Sequence, residues 1–325
     1  MVLTDSKQTH TNPVYGSYFA DPFVWQHEGV YYAAGTGAAE ASGQTVGKIF
    51  PVLQSTDFFQ WQFASSAMLR PDRALGNNFW APAVTYADGK FYLYYSVGHD
   101  DKLHQLRVAT SESPQGPYKD SGKTLLDPCR CRFAIDPHPF RDEDGRWYLF
   151  YATDFPEASN DARAGTALMA APMRSMTELE GPGTMILRPR SDWQRFQSNR
   201  LMYGRVCDWH TLEGPCVYKH NGRYYCFYSG GRWETENYGV DYGIAESVLG
   251  PYSDAGSERG PRVLRSVPGK MTGPGHNSIV IGPDRETAYI AFHAWDKEMK
   301  MRQMFIDKIL WTPSGPRCET YSAPS

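Results

Sequence analysis

Five segments of the chain repeat one pattern of apolar and polar positions. Aligned on a turn they read GVYYAAGT from Gly29, GKFYLYYS from Gly89, GRWYLFYA from Gly145, GRYYCFYS from Gly222 and ETAYIAFH from Glu286. Tyrosine stands fourth in all five, as Tyr32, Tyr92, Tyr148, Tyr225 and Tyr289. A short apolar stretch precedes each turn: PFVW, PAVTY, HPF, PCVY and NSIVI. Two apolar runs joined by a tight, mostly glycine-bearing turn predict a β-hairpin, not a helix. A second strand pair follows each hairpin (VLQSTDFFQW, RVATSESPQGPY, LMAAPMRSMTEL, GIAESVLGPY, FIDKILWTPSGP), with Ser-Pro and Gly-Pro steps marking turns.

Five units of about four strands, recurring every 56 to 77 residues, predict an all-β fold, a five-bladed β-propeller, with residues 1–325 as a single domain. The repeat outweighs the two domains that length alone suggests. Segments 36–48 and 188–210 do not fit the unit and are expected as long loops over one face, where specificity often resides.

Composition changes this picture little. The 325 residues are 41% hydrophobic with a formal net charge of -3, enough apolar material for a large core. The 33 Lys and Arg are scattered among 36 Asp and Glu, without the basic block that a nucleic-acid partner requires. No apolar run approaches the length of a membrane span. The start, MVLTDSKQTHTNPVYG, lacks the basic and apolar regions of a secretion signal, so a cytoplasmic location is expected unless a signal has been removed. The six cysteines form no C-x-x-C pair and read as free thiols. Cys129 and Cys131 lack the further spaced ligands of a zinc site, and Cys226 alternates with strand aromatics as a core residue.

In a propeller the first strand of each blade lies nearest the axis, so residues at the five strand starts converge at one end of the channel. Those starts read ADP (Asp21), WAP (Trp80), IDP (Asp136), LEGP (Glu213) and GHN (His276, Asn277). Singly, an Asp before Pro reads as a turn residue, His276 as a satisfied buried imidazole, and Trp80 as channel packing. Three acids at corresponding places in three repeats point instead to one site. Converging carboxylates permit glycosidic cleavage: in the inverting version one activates water and another, protonated, delivers a proton to the leaving oxygen, the two about 6.5 to 9.5 Å apart. A third acid beside the donor raises its pKa by like-charge repulsion, the role expected of Asp136 toward Glu213.

The segments ADPFVW, FWAPAV, IDPHPF, LEGPCVYKHNGRYYCFYSGG, GPGHNSIV and RQMFIDKILW, in this order over about 20–311, resemble glycoside hydrolase family 43, inverting five-bladed propeller glycosidases. The resemblance implies Asp21 as general base, Glu213 as general acid and Asp136 as pKa modulator. It further implies that Arg302 reaches the substrate, and Trp80 and His276 at the strand starts are expected to contact it as well. His276 is implied at the channel floor, where many members hold a water-coordinated calcium ion. No cofactor is expected for the chemistry itself. One departure is Ala83, where the family often has an acid after WAP.

The family acts on α-L-arabinofuranosides, β-D-xylosides, arabinans and some galactans, so a plant cell-wall oligosaccharide or polysaccharide is the expected substrate. The ADPFVW opening and the two inserted segments look like those of exo-acting members and favour an α-L-arabinofuranosidase, with β-D-xylosidase, or an arabinanase or galactanase of the same family, as the alternatives. Only a short tail follows Trp311, which counts against a two-domain xylosidase. Two other classes are weighed. A glycoside phosphorylase would need a basic cluster for phosphate, and a non-catalytic glycan-binding propeller would be expected to have lost one of the three acids.

Overall fold

The computed structural model describes residues 10–38, 47–127, 129, 131–159, 162–256 and 259–320. Blade 1 comprises β1 (Ala20–His27), β2 (Val30–Thr36), β3 (Lys48–Ser55) and β4 (Gln62–Leu69). Blade 2 comprises β5 (Asn78–Ala87), β6 (Lys90–His99), β7 (Lys102–Ser111) and β8 (Lys119–Thr124). Blade 3 is built from β9 (Ala134–Arg141), β10 (Trp147–Phe155) and β11 (Gly165–Ser175), with β12 (Glu178–Leu179) and β13 (Thr184–Leu187) on the outer side of β11. After β14 (Arg195–Met202), blade 4 comprises β15 (Arg205–His220), β16 (Arg223–Gly230) and β17 (Gly239–Ala245), and Ser253 bridges Ile244 where a fourth strand would lie. Blade 5 comprises β18 (Thr272–Ile281), β19 (Ala288–Trp295), β20 (Arg302–Thr312) and β21 (Gly315–Cys318). The innermost strands β1, β5, β9, β15 and β18 neighbour one another in that order, and β18 returns to β1, which closes the five-bladed ring.

Both faces of each blade are buried, because every blade packs between two others. Successive residues of a strand point to opposite faces. Thus Tyr31 and Ala33 enter the core shared with blade 5, while Tyr32 and Ala34 enter the core shared with blade 2. Phe227 and Tyr228 divide in the same way between blades 5 and 3. A strand buried on both sides needs no polar alternation, which accounts for runs such as YLYY and YLFY. Five such inter-blade cores are present, and the one between blades 5 and 1 also takes in Val14 and Tyr15 of the N-terminal segment. That segment is fastened to β20 by Val14 N–H to Met304 O (2.9 Å) and the Asn12 side chain to Ile306 O (2.8 Å).

The segment 188–210 corrects one expectation. It is a short 3-10 turn at Asp192–Gln194 followed by a hairpin of β14 and the upstream half of β15. Tyr203 and Gly204 at the tip have φ of 52° and 77°, the two-residue turn whose twist suits antiparallel strands. The other edge of β15 pairs in parallel with β11 at Gly165–His210 and Thr166–Thr211, which joins blades 3 and 4 into one nine-stranded sheet. Of the other segment read as a loop, 36–48, residues 39–46 lie outside the described residues.

The parallel junction depends on a missing side chain. A Cβ on Gly165 would lie 1.9 Å from His210 O, a backbone atom with no room to yield. Gly165→Ala is expected to destabilise the protein by about 1–3 kcal/mol through overpacking. Denaturant unfolding checks this, and an unchanged midpoint would show that the junction adds nothing to stability.

Candidate functional site

Each inner strand is interrupted near its start by a register shift and one residue with positive φ: Asp21 (52°), Ala81 (49°), Asp136 (58°), Gly214 (57°) and His276 (48°). In an L-residue this conformation costs roughly 1–2 kcal/mol. The next residue is proline in four blades (Pro22, Pro82, Pro137, Pro215); with no N–H, proline leaves no donor orphaned at the bulge.

In four of the five blades the amide of the left-handed residue is satisfied by a group from the preceding blade. Thr36 Oγ1 accepts from Ala81 N (2.8 Å), Ser229 Oγ from His276 N (2.7 Å), and His293 Nδ1 from Asp21 N (3.1 Å). Thr36, Ser229 and His293 all stand eighth in the hairpin repeat, where blade 3 has Ala152. Alanine cannot accept, and the Gly214 amide instead donates to Asp136 Oδ2 at 2.8 Å. Asp136 therefore takes over a structural contact that a hydroxyl makes elsewhere.

This geometry also refines the correspondence among the acids. Asp21 and Asp136 occupy equivalent left-handed positions, whereas Glu213 precedes Gly214 and corresponds to Trp80. All three acids nonetheless reach one end of the channel. A cavity of about 20 Å³, lined among others by Asp21, Asp136, His276 and Asn277, marks its narrow part and has room for one water. Ala83, where an acid was expected, is buried in the same wall.

Asp21 Oδ1 lies 3.2 Å from His293 Nδ1, 3.4 Å from Arg302 Nη1 and 3.5 Å from His276 Nδ1. His276 Nδ1 is also 3.9 Å from Asp136 Oδ2, so it sits between the two aspartates. Burial opposes ionisation of Asp21, but His276, Arg302 and His293 outweigh it and hold the carboxyl well below its usual range. Burial also lowers both imidazoles, His293 to about 4, which leaves Arg302 as the permanent cation of the group. Its guanidinium is held by the Tyr18 hydroxyl (2.8 Å) and lies 4.4 Å from the Trp233 ring centroid. Trp233 in turn stacks on Trp295 at 5.8 Å.

The other two acids behave oppositely. Burial pushes Glu213 up to about 7 despite a hydrogen bond donated by the Tyr238 hydroxyl to Oε1 (2.6 Å), with Asp21 adding repulsion. Asp136 is raised well above its ordinary value by burial, then by Glu213 and Asp21. Two buried carboxyls that each raise the other retain a proton between them near neutral pH. Trp80 is placed apart from this cluster: it is half-buried and stacks on His104 at 3.9 Å.

Sequence reasoning passed over His293, Tyr238, Tyr18, Trp233 and Trp295. His293 carried a signal, as the one imidazole at the eighth repeat place. Tyr238 carried none: it is brought to Glu213 by β17 and accommodated by Gly275, whose Cβ would lie 2.0 Å from its ring. Among the described residues no group of three His, Cys, Asp or Glu could hold a metal. Buried polar atoms without a partner beside Asp21 and His276 include His293 Nε2 and the Asn277 amide. Calcium bound directly takes six to eight oxygens, so this set suits only a hydrated ion.

Three comparisons bear on the site. The family model for glycosyl hydrolases family 43 matches residues 10–316. A β-D-galactofuranosidase of Aspergillus niger is 26% identical, over 97% of this chain and 86% of its own length, and an extracellular endo-α-(1→5)-L-arabinanase of Bacillus subtilis is 26% identical over 91% and 86%. Among solved structures, a thermostable family-43 glycoside hydrolase superposes with a TM-score of 0.79 at 29% identity, covering 98% of both chains.

The raised Glu213 pKa has a consequence for stability. Folding moves it from 4.5 to about 7, so the folded state binds the proton more tightly than the unfolded. The cost of burying this carboxylate is absent below about pH 4.5, grows as pH rises, and is complete above about 7. Glu213→Gln is expected to stabilise the protein at pH 8 by about 3 kcal/mol relative to its effect at pH 4. Unfolding curves at the two pH values check this; an equal effect at both would mean the acid is not buried as described.

Proposed function

The chain belongs to glycosyl hydrolase family 43 and is a glycoside hydrolase, and from that premise we propose that it is an exo-acting, inverting enzyme that releases a terminal pentose, as an α-L-arabinofuranosidase. The observation that carries the mechanism is the division of the buried acids into one held ionised beside Arg302 and a pair that retains a proton. Asp21 in blade 1 and Glu213 in blade 4 belong to non-adjacent blades of the ring, and the reading places the sugar between them. Water on the Asp21 side attacks the anomeric carbon and gives its proton to that carboxylate. Glu213 protonates the departing oxygen as the bond to the anomeric carbon breaks, and the released pentose carries the inverted configuration.

The surrounding residues serve these two proton transfers. Tyr238 donates to Oε1 of Glu213 and leaves Oε2 as the oxygen that carries the proton to be delivered. Ionisation of Asp136 opposes ionisation of Glu213 and keeps the acid charged with its proton. Trp233 and Trp295 back Arg302 beside Asp21 and supply an apolar wall, and the hairpin of β14 and β15 rises beside the channel, which favours a pocket over an open cleft. A hydrated cation at the channel floor would be held through water by His276 and His293 and would add positive charge near Asp21. None of the steps above is routed through it.

The sugar assignment leans on relatives whose names include an exo-α-(1→5)-L-arabinofuranosidase of Streptomyces avermitilis and a xylosidase/arabinosidase of Humicola insolens. β-Xylosidase is therefore the second reading. Release of sugar from aryl α-L-arabinofuranoside and aryl β-D-xyloside, with and without phosphate, decides among arabinofuranosidase, xylosidase and phosphorylase. Asp21→Asn is expected to lose about 10² to 10⁴-fold in rate, and NMR of the first product should show the inverted anomer; retention would overturn the mechanism.

Asp136 and Tyr238 act on the same acid with opposite sign. Asp136→Asn removes a repelling charge, so Glu213 ionises at lower pH and the alkaline limb of the rate profile moves acidward. Tyr238→Phe removes a bond that favours the ionised form, so that limb moves to higher pH. Both variants are expected to lose more rate on a natural disaccharide than on an aryl glycoside, whose leaving group needs little protonation. Shifts of the same sign in the two variants would refute the tuning scheme.

A further inference from the structure

A second cavity, of about 390 Å³, opens beside the channel mouth and is lined by Arg132, Phe133, Thr153, Asp154, Tyr203 and Arg205 among others. Its volume is that of a small-ligand site. The strand pairing locates it. Thr153 pairs with Ala134, two residues before Asp136; Asp154 pairs with Thr166, and Thr166 with Thr211, two residues before Glu213. Two strand spacings, about 10 Å, and two residues of β15, about 7 Å, therefore separate Asp154 from Glu213. Phe133 meets His104 edge-on at 5.6 Å, and His104 stacks on Trp80, so these three rings form the partition between cavity and channel.

The lining is chemically distinctive. Asp154 accepts from the Tyr203 hydroxyl (2.7 Å) and the Thr166 hydroxyl (3.1 Å), which fixes its carboxylate. The Tyr203 side chain, carried on the hairpin tip, remains 46% exposed. The hairpin is itself pinned by the Arg200–Asp101 ion pair and by Asp208, which accepts from Asn199 N (3.0 Å) and pairs with Arg195 (3.2 Å). Arg132 and Arg205 have no carboxylate partner among the described residues, although Asp154 and Glu157 line the same cavity. Two guanidinium donors, a fixed carboxylate acceptor and an exposed aromatic face together suit a polyhydroxylated ring, with hydroxyls bridged between donor and acceptor and the ring resting on Tyr203. The two acids disfavour an anion at the same place.

We propose that this cavity is a subsite for a neutral sugar ring of the departing portion of the substrate, beyond the bond that is cleaved. The proposal rests on Glu213 as the general acid, because the departing oxygen then lies beside the strand to which Asp154 is joined through Thr166 and Thr211. It makes the hairpin inserted before blade 4 the element that distinguishes a glycan chain from a small aglycone.

The test compares kcat and KM for an aryl pentofuranoside and for linear α-1,5-arabinotriose, in wild type, Tyr203→Ala and the double variant Arg132→Ala/Arg205→Ala. The expected result is a loss of about tenfold in kcat/KM on the trisaccharide, carried by KM, with the aryl substrate within about twofold of wild type. Equal losses on both substrates, or no loss on the trisaccharide, would overturn the subsite. Tyr203→Phe keeps the ring but not its bond to Asp154 and is expected to fall between wild type and Tyr203→Ala; thermal melting separates a folding defect from a binding one. Calorimetric binding of the trisaccharide to Asp21→Asn, with and without Tyr203→Ala, judges the cavity without turnover. Should wild type cleave neither aryl pentoside, the proposed activity fails, while this binding measurement still supports or refutes the subsite.

Discussion

The ring is organised by one backbone constraint: the innermost strand of every blade contains a residue in the left-handed conformation, at a bulge, close to the channel. Such a residue leaves its own amide out of the strand ladder, and a buried amide without an acceptor costs about 1–3 kcal/mol. The adjoining blade supplies the acceptor through Thr36, Ser229 and His293, and between blades 3 and 4 through Asp136. Blade-to-blade geometry and active-site geometry are therefore the same set of contacts. The positions that bear Asp21, Asp136 and His276 are the positions where the chain turns its side chains into the channel, and the strain there is offset by the inter-blade cores around them.

Within this frame, burial acts on all three acids alike, and their neighbours make them differ. Asp21 has Arg302 within 3.4 Å, and that guanidinium is itself enclosed by aromatic rings that exclude water without competing for its charge. For Glu213 the same guanidinium is outweighed by burial, and Asp136 has Glu213 and Asp21 as its charged neighbours. Burial lowers the histidines between them as well, so the guanidinium is the one neighbour whose charge does not depend on pH. A site with one carboxylate ionised and another protonated at the same pH needs only this asymmetry of partners.

Much of the fold was legible in the chain. The hairpin repeat, with tyrosine fourth and a turn glycine first in four of five copies, reported five blades because each blade must fill two inter-blade cores with the same alternating side chains. The hairpin of β14 and β15 was also written there, in the Tyr203–Gly204 turn, but was read as a loop because its strands are polar and exposed and lack the aromatic alternation used to find the others. Reading the three acids at the strand starts as one set placed Glu213 level with Asp21 and Asp136; the prolines Pro22, Pro82, Pro137 and Pro215 instead align Gly214 with them, and the left-handed dihedral angles agree. His293 stood out at the eighth repeat place, whereas Tyr238 comes from outside the repeat and had no sequence mark.

The sequence by itself determined the architecture, the family and the five residues that begin the inner strands, since these follow from local periodicity and from motifs in a fixed order. The tertiary structure decided which carboxyls are raised and which is lowered. Whether a carboxyl is ionised depends on which groups lie within about 4 Å of it once water is removed. Arg302 and Asp21, at 281 positions apart in the chain, become neighbours only when the ring closes.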